Sequence, residues 1–136
     1  MKGTTTYLHF NGNCRTAMAF YRDCFGGDLE VMPYPTASGT PNTDPKAPVQ
    51  HSRIAQGGHS LLMASDYPPG VDTARLGNNF SVFIDCSSDS EVEKLFTALS
   101  QDGKVKVPPS DMPFGRFGMC DDSFGISWIL TCAKAG

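Results

Sequence analysis

Apolar and polar positions follow two different periods along the chain, and these periods alternate in a regular order. Residues 4–10 are rich in threonine, tyrosine and phenylalanine, which is typical of a strand, and they end at the turn sequence Asn11-Gly12-Asn13. Residues 14–25 carry apolar side chains at every third or fourth position, so they predict a helix with one apolar face. We expect Asn13 to cap this helix and Gly26-Gly27 to end it.

The remainder of the first half predicts strands separated by loops. Residues 28–33 predict a short strand, and the Pro-, Thr- and Ser-rich residues 34–48 predict a long loop. Residues 49–56 and 59–65 flank Gly57-Gly58, and two short strands around this dipeptide indicate a hairpin. Residues 66–78 predict a second loop.

The same order of elements returns in the second half, displaced by about 75 residues. Residues 79–86 predict a strand, and Ser88 and Glu91 predict a capping box at the start of a helix that ends at Gly103. Its apolar face consists of Val92, Leu95, Phe96 and Leu99. The later segments predict a strand at 104–108, a loop at 109–115 and strands at 116–121 and 126–132 around the turn 122–125.

Each half therefore predicts the order β-α-β-β-β, which places the chain in the α+β class. One such unit has a helix on one face of a small curved mixed sheet, and its other face stays bare. We expect two units, at about 4–66 and 79–133, within a single domain of residues 1–136. If the two units close around the sheet faces that carry no helix, they form a cup-shaped cleft of ligand size with the helices on the outside.

Composition and charge narrow the classes of partner. The chain has 136 residues and a formal net charge of −3, with no Lys/Arg-rich run, which argues against a nucleic-acid-binding protein. No apolar run approaches the roughly 20 residues of a membrane span, and no secretory signal is evident, so we expect a cytoplasmic protein without a membrane partner.

The chain has five cysteines and no CxxC pair. In a chain of this length without a secretory signal, this favours reduced, mostly buried thiols over disulfides. Cys14 stands at the predicted start of the first helix, where a helix N-terminus lowers the pKa of a thiol, so it is the candidate for a reactive cysteine.

Four segments together resemble a known superfamily. They are YLHFNGNCRTAMAFYRDCFGG (7–27), LLMASDYPPG (61–70), GNNFSVFIDC (77–86) and FGMCDDSFGISWIL (117–130). In this order they resemble the vicinal-oxygen-chelate (VOC) superfamily, which includes glyoxalase I, bleomycin- and fosfomycin-resistance proteins and extradiol dioxygenases. The chain is most similar to the PhnB-like group within it. The resemblance implies a duplicated βαβββ fold, a cup-shaped cleft and a homodimer.

Members of the PhnB-like group have often carried a methyltransferase label associated with demethylubiquinone. A nucleotide-like cofactor would favour a glycine-rich loop that opens a helix inside a Rossmann-type βαβ unit. The sequence contains no such loop. We therefore expect no organic cofactor.

Enzymes of the superfamily bind a divalent metal through His, Glu or Gln at four inward strand positions, and the metal acts as a Lewis acid on an oxygen-rich substrate. Carried onto this chain, the four positions fall on Thr5, near Arg53, and on Asn79 and Ile129. These residue types do not form a metal site. No metal is therefore expected, and a divalent metal, if bound, would rest on two histidines, His9 and His51.

The ligand-binding candidates follow from strand alternation together with the resemblance. Tyr7 and His9 share a strand face with Thr5. His51 and Arg53 share the face of their own strand that lies opposite Ile54, and Ile54 is expected to pack under the helix. Histidine titrates near neutrality, and arginine can hold a carboxylate or phosphonate with two hydrogen bonds. The candidates are Thr5, Tyr7, His9, His51, Arg53, Asn79, Phe114, Phe117 and Trp128.

Two points stay open within this set. Phe114, Phe117 and Trp128 either form an aromatic wall of the cleft or belong to the core or a dimer interface. No residue can be assigned a catalytic role from the sequence.

Three functional hypotheses remain. The first is a small-molecule binding protein with a degenerate metal site, which the missing ligand set and the resemblance to drug-resistance binders favour. The second is a divalent-metal lyase, isomerase or dioxygenase acting on a small oxygen-rich substrate. The third is a metal-free acid–base enzyme with His51 as base and Arg53 as anion clamp.

Overall fold

The computed structural model describes residues 1–134 and forms two compact units, the first Met1–Arg75 and the second beginning at Leu76. The first unit contains β1 (Tyr7–Phe10), α1 (Cys14–Phe25), β2 (Asp28–Pro33), β3 (Val49–Gln56) and β4 (His59–Asp66). The second contains β5 (Val82–Asp85), α2 (Asp89–Leu99), β6 (Lys104–Met112), β7 (Gly115–Asp121) and β8 (Ser127–Ala133). The predicted β-α-β-β-β order is confirmed in both units.

Each unit has one four-stranded mixed sheet, so the α+β class is confirmed. The strand orders are β1-β4-β3-β2 and β5-β8-β7-β6. In each sheet the first strand of the unit pairs in parallel with the last, and the other pairs are antiparallel. The equivalent pairing makes the second unit a structural repeat of the first.

The core of the first unit lies between α1 and one face of its sheet. Strand alternation sends every second side chain to this face, where Leu8, Ile54 and Leu62 are almost completely buried. From α1, Ala17, Met18 and Tyr21 pack against them, as their helical spacing predicts. The opposite face therefore carries the alternate residues, including Tyr7, His9, His51 and Arg53.

The start of α1 differs from the prediction. Asn13 makes no side-chain capping hydrogen bond. The carboxylate of Asp66, at the end of β4, takes that place: its Oδ1 accepts hydrogen bonds from the amides of Gly12 at 2.7 Å and Cys14 at 3.0 Å. Its Oδ2 accepts from the amide of Val49 at 2.9 Å, so one buried side chain joins the β1–α1 turn, β3 and β4.

The hairpin turn and the end of α1 need glycine. Gly57 and Gly58 have φ values of 57° and 81°, the left-handed conformation that both central residues of such a two-residue turn require. At Gly27, with φ of 88°, an added Cβ would lie 2.6 Å from the carbonyl oxygen of Ala55. A side chain is excluded there because the strand backbone passes too close.

In the second unit the predicted capping box is confirmed. Ser88 Oγ accepts a hydrogen bond from the amide of Glu91 at 3.1 Å, and Glu91 Oε1 accepts from the amide of Ser87 at 3.1 Å. Leu95 is half-buried, while the other three members of the predicted apolar face are buried against the sheet. Gly118 of β7 lies beneath the ring of Phe96, where an added Cβ would be 3.0 Å from the ring.

Three strand boundaries differ from the prediction by three or more residues. β1 begins at Tyr7 and not at residue 4, and β5 begins at Val82 and not at residue 79. β6 continues to Met112, through Pro108 and Pro109, where the sequence predicts a loop. Both prolines are tolerated because β6 is an edge strand, where a missing amide donor breaks no inner ladder.

Across residues 1–134, none of the helices has the length and apolar character needed to span a lipid bilayer.

Candidate functional site

A tyrosine–histidine pair lies on the face of the first sheet opposite α1. Tyr7 comes from β1 and His51 from β3, on either side of β4. The phenol oxygen of Tyr7 is 3.0 Å from Nδ1 of His51, and the two rings stack with centroids 5.7 Å apart. The sheet register fixes both backbones, so the pair is held by rigid strands rather than by loops.

A second pair continues this row of rings. His9 stacks on Tyr67 with a centroid separation of 4.3 Å and an interplanar angle of 8°. Tyr67 directly follows β4, and its amide donates to the carbonyl of Phe10 at 2.9 Å, which holds it beside the end of β1. Tyr7 and His9 have centroids 5.3 Å apart. We call Tyr67, His9, Tyr7 and His51 the ring row.

Arg53 lies beside the ring row on the same face. Its Nε donates to Ser60 Oγ at 2.5 Å, and its Nη1 lies 3.9 Å from an oxygen of Glu30, its neighbour in the β2–β3 register. Glu30 is exposed, so this ion pair is weak and leaves positive charge at the surface. The arrangement orients a half-buried guanidinium next to the imidazole of His51 along β3.

Tyr34 stands at the base of the long loop near the same end of the sheet. Its phenol donates to the backbone carbonyl of Asp66 at 3.0 Å, and its amide donates to the carbonyl of Pro48 at 2.9 Å, which closes the loop. Burial raises the pKa of the Tyr34 phenol, and the nearby Tyr7 and Asp66 add to the shift. Tyr34 is therefore a neutral hydroxyl close to Tyr7.

The remaining sequence candidates lie outside the elements that carry the ring row. Thr5 is exposed and precedes β1, and Asn79 is exposed in a bend before β5. Phe114 lies in the β6–β7 turn and Phe117 on β7, and their rings meet edge to face at 5.9 Å. Both phenylalanines belong to the second unit and stay candidates there.

The structure corrects the interpretation of Trp128 as a ligand-binding candidate. It is 1 % exposed, and its indole Nε1 donates to Asp122 Oδ2 at 2.8 Å. In the β7–β8 register it stands opposite Cys120, on the side of the sheet that α2 covers. Of the two interpretations left open, the core is the one observed, so Trp128 does not present a surface to a ligand.

The positions carried over from the superfamily do not fit a metal centre. Arg53 brings a positive charge to one of them, and Ile129 brings an apolar side chain to another. Within residues 1–134, His, Cys, Asp and Glu form no group of three or more with metal-ligand geometry. The two histidines of the ring row are each engaged with a tyrosine.

The thiols are reduced, and their environments make several of them weak nucleophiles. Burial raises the pKa of Cys14 to about 11, and a hydrogen bond with Ser52 at 3.6 Å offsets only part of that effect. The expectation of a lowered pKa at Cys14 is therefore wrong, because desolvation outweighs the helix N-terminus. Burial likewise raises the pKa of Cys120 to about 11.

We expect Cys14 and Cys120 to resist alkylation in the folded protein. A pKa of about 11 in place of 9.0 leaves roughly a hundredfold less thiolate at neutral pH, and both side chains are 0 % exposed. Iodoacetamide followed by peptide mass mapping measures this. Rapid labelling of Cys14 in the folded chain, at the rate seen in urea, would contradict the assignment.

Tyr67, Tyr34 and Ser60 are parts of the site that the sequence analysis missed. Tyr67 could have been found, because it follows β4, and the ends of parallel neighbours β1 and β4 meet at one edge of the sheet. Tyr34 approaches through a loop, and Ser60 reaches Arg53 only because the β3–β4 register shifts between Ile54 and Ala55. Neither of these has a signal in the sequence pattern.

Comparison with known proteins identifies the family. The model of the family described as 3-demethylubiquinone-9 3-methyltransferase matches residues 2–131. The chain belongs to this family. It is the PhnB-like family within the VOC superfamily, so the resemblance stated above is confirmed.

Solved structures agree with this assignment. Protein PA1353 from Pseudomonas aeruginosa is 34 % identical, with 99 % of this chain and 100 % of that chain covered and a TM-score of 0.82. A putative 3-demethylubiquinone-9 3-methyltransferase, PhnB protein, from Bacillus cereus is 27 % identical, with 97 % and 100 % covered and a TM-score of 0.69. A glyoxylase/bleomycin resistance protein/dioxygenase domain from Frankia sp. is 15 % identical, with 100 % of this chain and 95 % of that chain covered. Its TM-score is 0.66, and it shares the fold.

Proposed function

We propose that this member of the PhnB-like family is a small-molecule binding protein with a degenerate metal site, and that the ring row is its ligand surface. The observation that carries the proposal is the hydrogen-bonded Tyr7–His51 pair, continued by His9 stacked on Tyr67. Four planar side chains in one row on a sheet face offer both stacking surface and polar edges, the usual composition of a ligand site.

The chemistry of this face favours a small planar or oxygen-rich anion. Aromatic rings bind a flat ligand through offset stacking, and the imidazoles and the Tyr7 phenol supply directed hydrogen bonds. Arg53, oriented by Ser60, adds a positive charge that suits a carboxylate or phosphonate. The supporting strands β1, β3 and β4 hold these groups in place before a ligand arrives, which lowers the entropic cost of binding.

Titration calorimetry with phenylphosphonate and benzoate tests this proposal, with His51→Gln as the main variant. Glutamine keeps polarity but removes the imidazole that stacks on Tyr7, so we expect the affinity to fall at least tenfold, about 1.4 kcal/mol. The matched control is His59→Gln, since His59 is exposed at the hairpin end and pairs with Gln56. This control should bind as the unaltered chain does.

Equal losses in the two histidine variants would contradict the assignment of the ring row. If both variants leave the affinity unchanged, the ligand binds elsewhere on the chain and the proposal is wrong.

A metal-free acid–base enzyme is the second candidate, and the Tyr7–His51 contact favours it. A phenol within 3.0 Å of an imidazole nitrogen is within the reach over which a general base is oriented or a proton is passed. In this reading His51 accepts a proton from the substrate, and Arg53 holds its anionic group. A substrate screen that finds turnover which His51→Gln leaves intact would remove this candidate.

The metal-dependent alternative has a separate test. Metal analysis of the protein purified without chelator should find no stoichiometric Zn, Ni, Fe or Mn. Stoichiometric metal that is lost in His51→Gln would contradict a degenerate site and favour a lyase, isomerase or dioxygenase.

The family description names methyl transfer to 3-demethylubiquinone, and this activity is distinguishable from our proposal. In the first unit, the turn that opens α1 already holds the carboxylate of Asp66 on the amides of Gly12 and Cys14. At that helix start a carboxylate of this chain therefore already takes up two of the backbone donors that could bind an anionic group. Calorimetric binding of S-adenosylmethionine, with methyl transfer to a quinol acceptor, would overturn our choice.

The association of two chains belongs to the proposal as well, and the family resemblance supports a homodimer. Light scattering after size-exclusion chromatography tests this, with twice the 14.6 kDa chain mass expected.

A further inference from the structure

Two cysteines of the second unit stand opposite each other where β5 and β8 run side by side. In a parallel ladder, the amide of one residue donates to the carbonyl that precedes its partner. The amide of Cys86 donates to the carbonyl of Thr131 at 2.7 Å, which makes Cys132 the partner of Cys86. The register of β5 and β8 agrees, because Asp85 pairs with Thr131 one step earlier.

This placement meets the distance that a disulfide needs. Neighbouring strands lie about 4.8 Å apart, within the roughly 4.4–6.8 Å Cα separation of disulfide-bonded cysteines. Partners in register point to the same side of a sheet, here towards the start of α2, where Asp89 contacts the thiol of Cys132. Cys132 also contributes to the electrostatic environment of Cys86, which confirms their proximity.

We propose that Cys86 and Cys132 form a modification site, at which a small disulfide compound oxidises them reversibly to an intrachain disulfide. Both are reduced in the structure. The bond would tie the end of edge strand β5 to β8 just before α2 begins.

The exchange takes place in two balanced steps. The Cys132 thiolate attacks one sulfur of the small disulfide, forming a mixed disulfide and expelling a thiolate that takes up the proton lost from Cys132. The Cys86 thiolate then attacks the Cys132 sulfur, and the second small thiolate leaves with the proton from Cys86. Two cysteine thiols are oxidised, and one small disulfide is reduced to two thiols.

Burial sets the order of these steps. Cys132 is half-buried and can meet a reagent, whereas Cys86 is 5 % exposed and can react only with a neighbouring sulfur. Cys132 is therefore the attacking residue and Cys86 the resolving residue.

The charges around the pair determine its reactivity. Asp85 on β5 and Glu91 on α2 act on both thiols, and Asp89 on α2 acts on Cys132. Burial together with these carboxylates raises the pKa of Cys86 to about 11 and that of Cys132 above its usual value. Arg116 on β7 pairs with Cys132, but Glu93 and Asp111 hold its guanidinium. The site should therefore react slowly at neutral pH, and faster with a cationic than with an anionic disulfide.

The experiment treats the full chain with cystamine or with oxidised glutathione at pH 7 and pH 8.5. Remaining thiols are alkylated, and the peptides are mapped by mass spectrometry without reduction. We expect one linked peptide pair containing Cys86 and Cys132, formed faster with cystamine, with a rate that rises about tenfold per pH unit. Cys24→Ser, a control on α1, should give the same link.

Two variants separate the roles of the thiols. Cys86→Ser should trap the small thiol on Cys132, and Cys132→Ser should leave Cys86 unmodified. A link between any other two cysteines, separate adducts on Cys86 and Cys132 without a link, or no modification of either would each overturn the proposal. The wild-type map decides the question even if one variant does not fold.

Discussion

Replacement of Asp66 by alanine is expected to lower the free energy of unfolding by about 3 kcal/mol. The buried carboxylate accepts hydrogen bonds from the amides of Gly12, Cys14 and Val49, and the variant leaves all three donors without this acceptor. Hydrogen bonds to a charged group contribute about 1.5–3 kcal/mol each, and water entering the space recovers part of the loss. Urea denaturation followed by circular dichroism measures the difference.

Asp66→Asn and an exposed control refine this prediction. Asparagine keeps one carbonyl oxygen but turns an amide group towards the amide of Val49, so its loss should be smaller, about 2 kcal/mol. Asp23→Ala is the control, because Asp23 is exposed and pairs with its neighbour Arg22 on the surface of α1. Unfolding of Asp66→Ala at the same urea concentration as Asp23→Ala would contradict the role of Asp66.

Replacement of Trp128 by alanine is expected to cost about 4 kcal/mol of stability. The side chain is 1 % exposed, and its removal leaves a large cavity beneath α2 and takes the indole donor from Asp122. The same Asp122 carboxylate accepts from the amides of Phe124 and Ile126 at 2.8 and 3.0 Å, so the loss extends to the turn before β8. Thermal and urea unfolding both measure this change.

Phe114→Ala is the matched control for Trp128→Ala. Phe114 is another aromatic candidate from the sequence, but it is 57 % exposed in the β6–β7 turn, so its loss should change stability by less than about 1 kcal/mol. Equal effects of the two substitutions would contradict the assignment of Trp128 to the core. As the chain has a single tryptophan, its blue-shifted emission reports the burial independently.

Much of the fold could be predicted because pattern and chemistry agree locally. Gly57-Gly58 fits the left-handed turn between two strands, and Ser88 with Glu91 forms the box that begins α2. These signals depend on neighbours in the chain. The start of α1 was predicted at the right residue but with the wrong cap, because the acceptor, Asp66, lies 52 residues from Cys14.

The candidate site was predicted only in part, for a similar reason. Strand alternation placed Tyr7, His9, His51 and Arg53 on one face, and the structure confirms that placement. Strand alternation predicts side-chain direction only within strands. It therefore missed Tyr67 and Tyr34, which lie just outside them. Trp128 was correctly placed on a strand. Which face of that strand α2 covers is a tertiary property, and the sequence of one strand does not reveal it.

Mapping of amide chemical shifts during a titration with phenylphosphonate tests the central claim most directly. If the ring row is the ligand surface, the largest shifts will fall on residues 7–9, 51–53 and 65–67, and they will vanish in His51→Gln but not in His59→Gln. Largest shifts on α1, or anywhere that is unaffected by His51→Gln, would contradict the account.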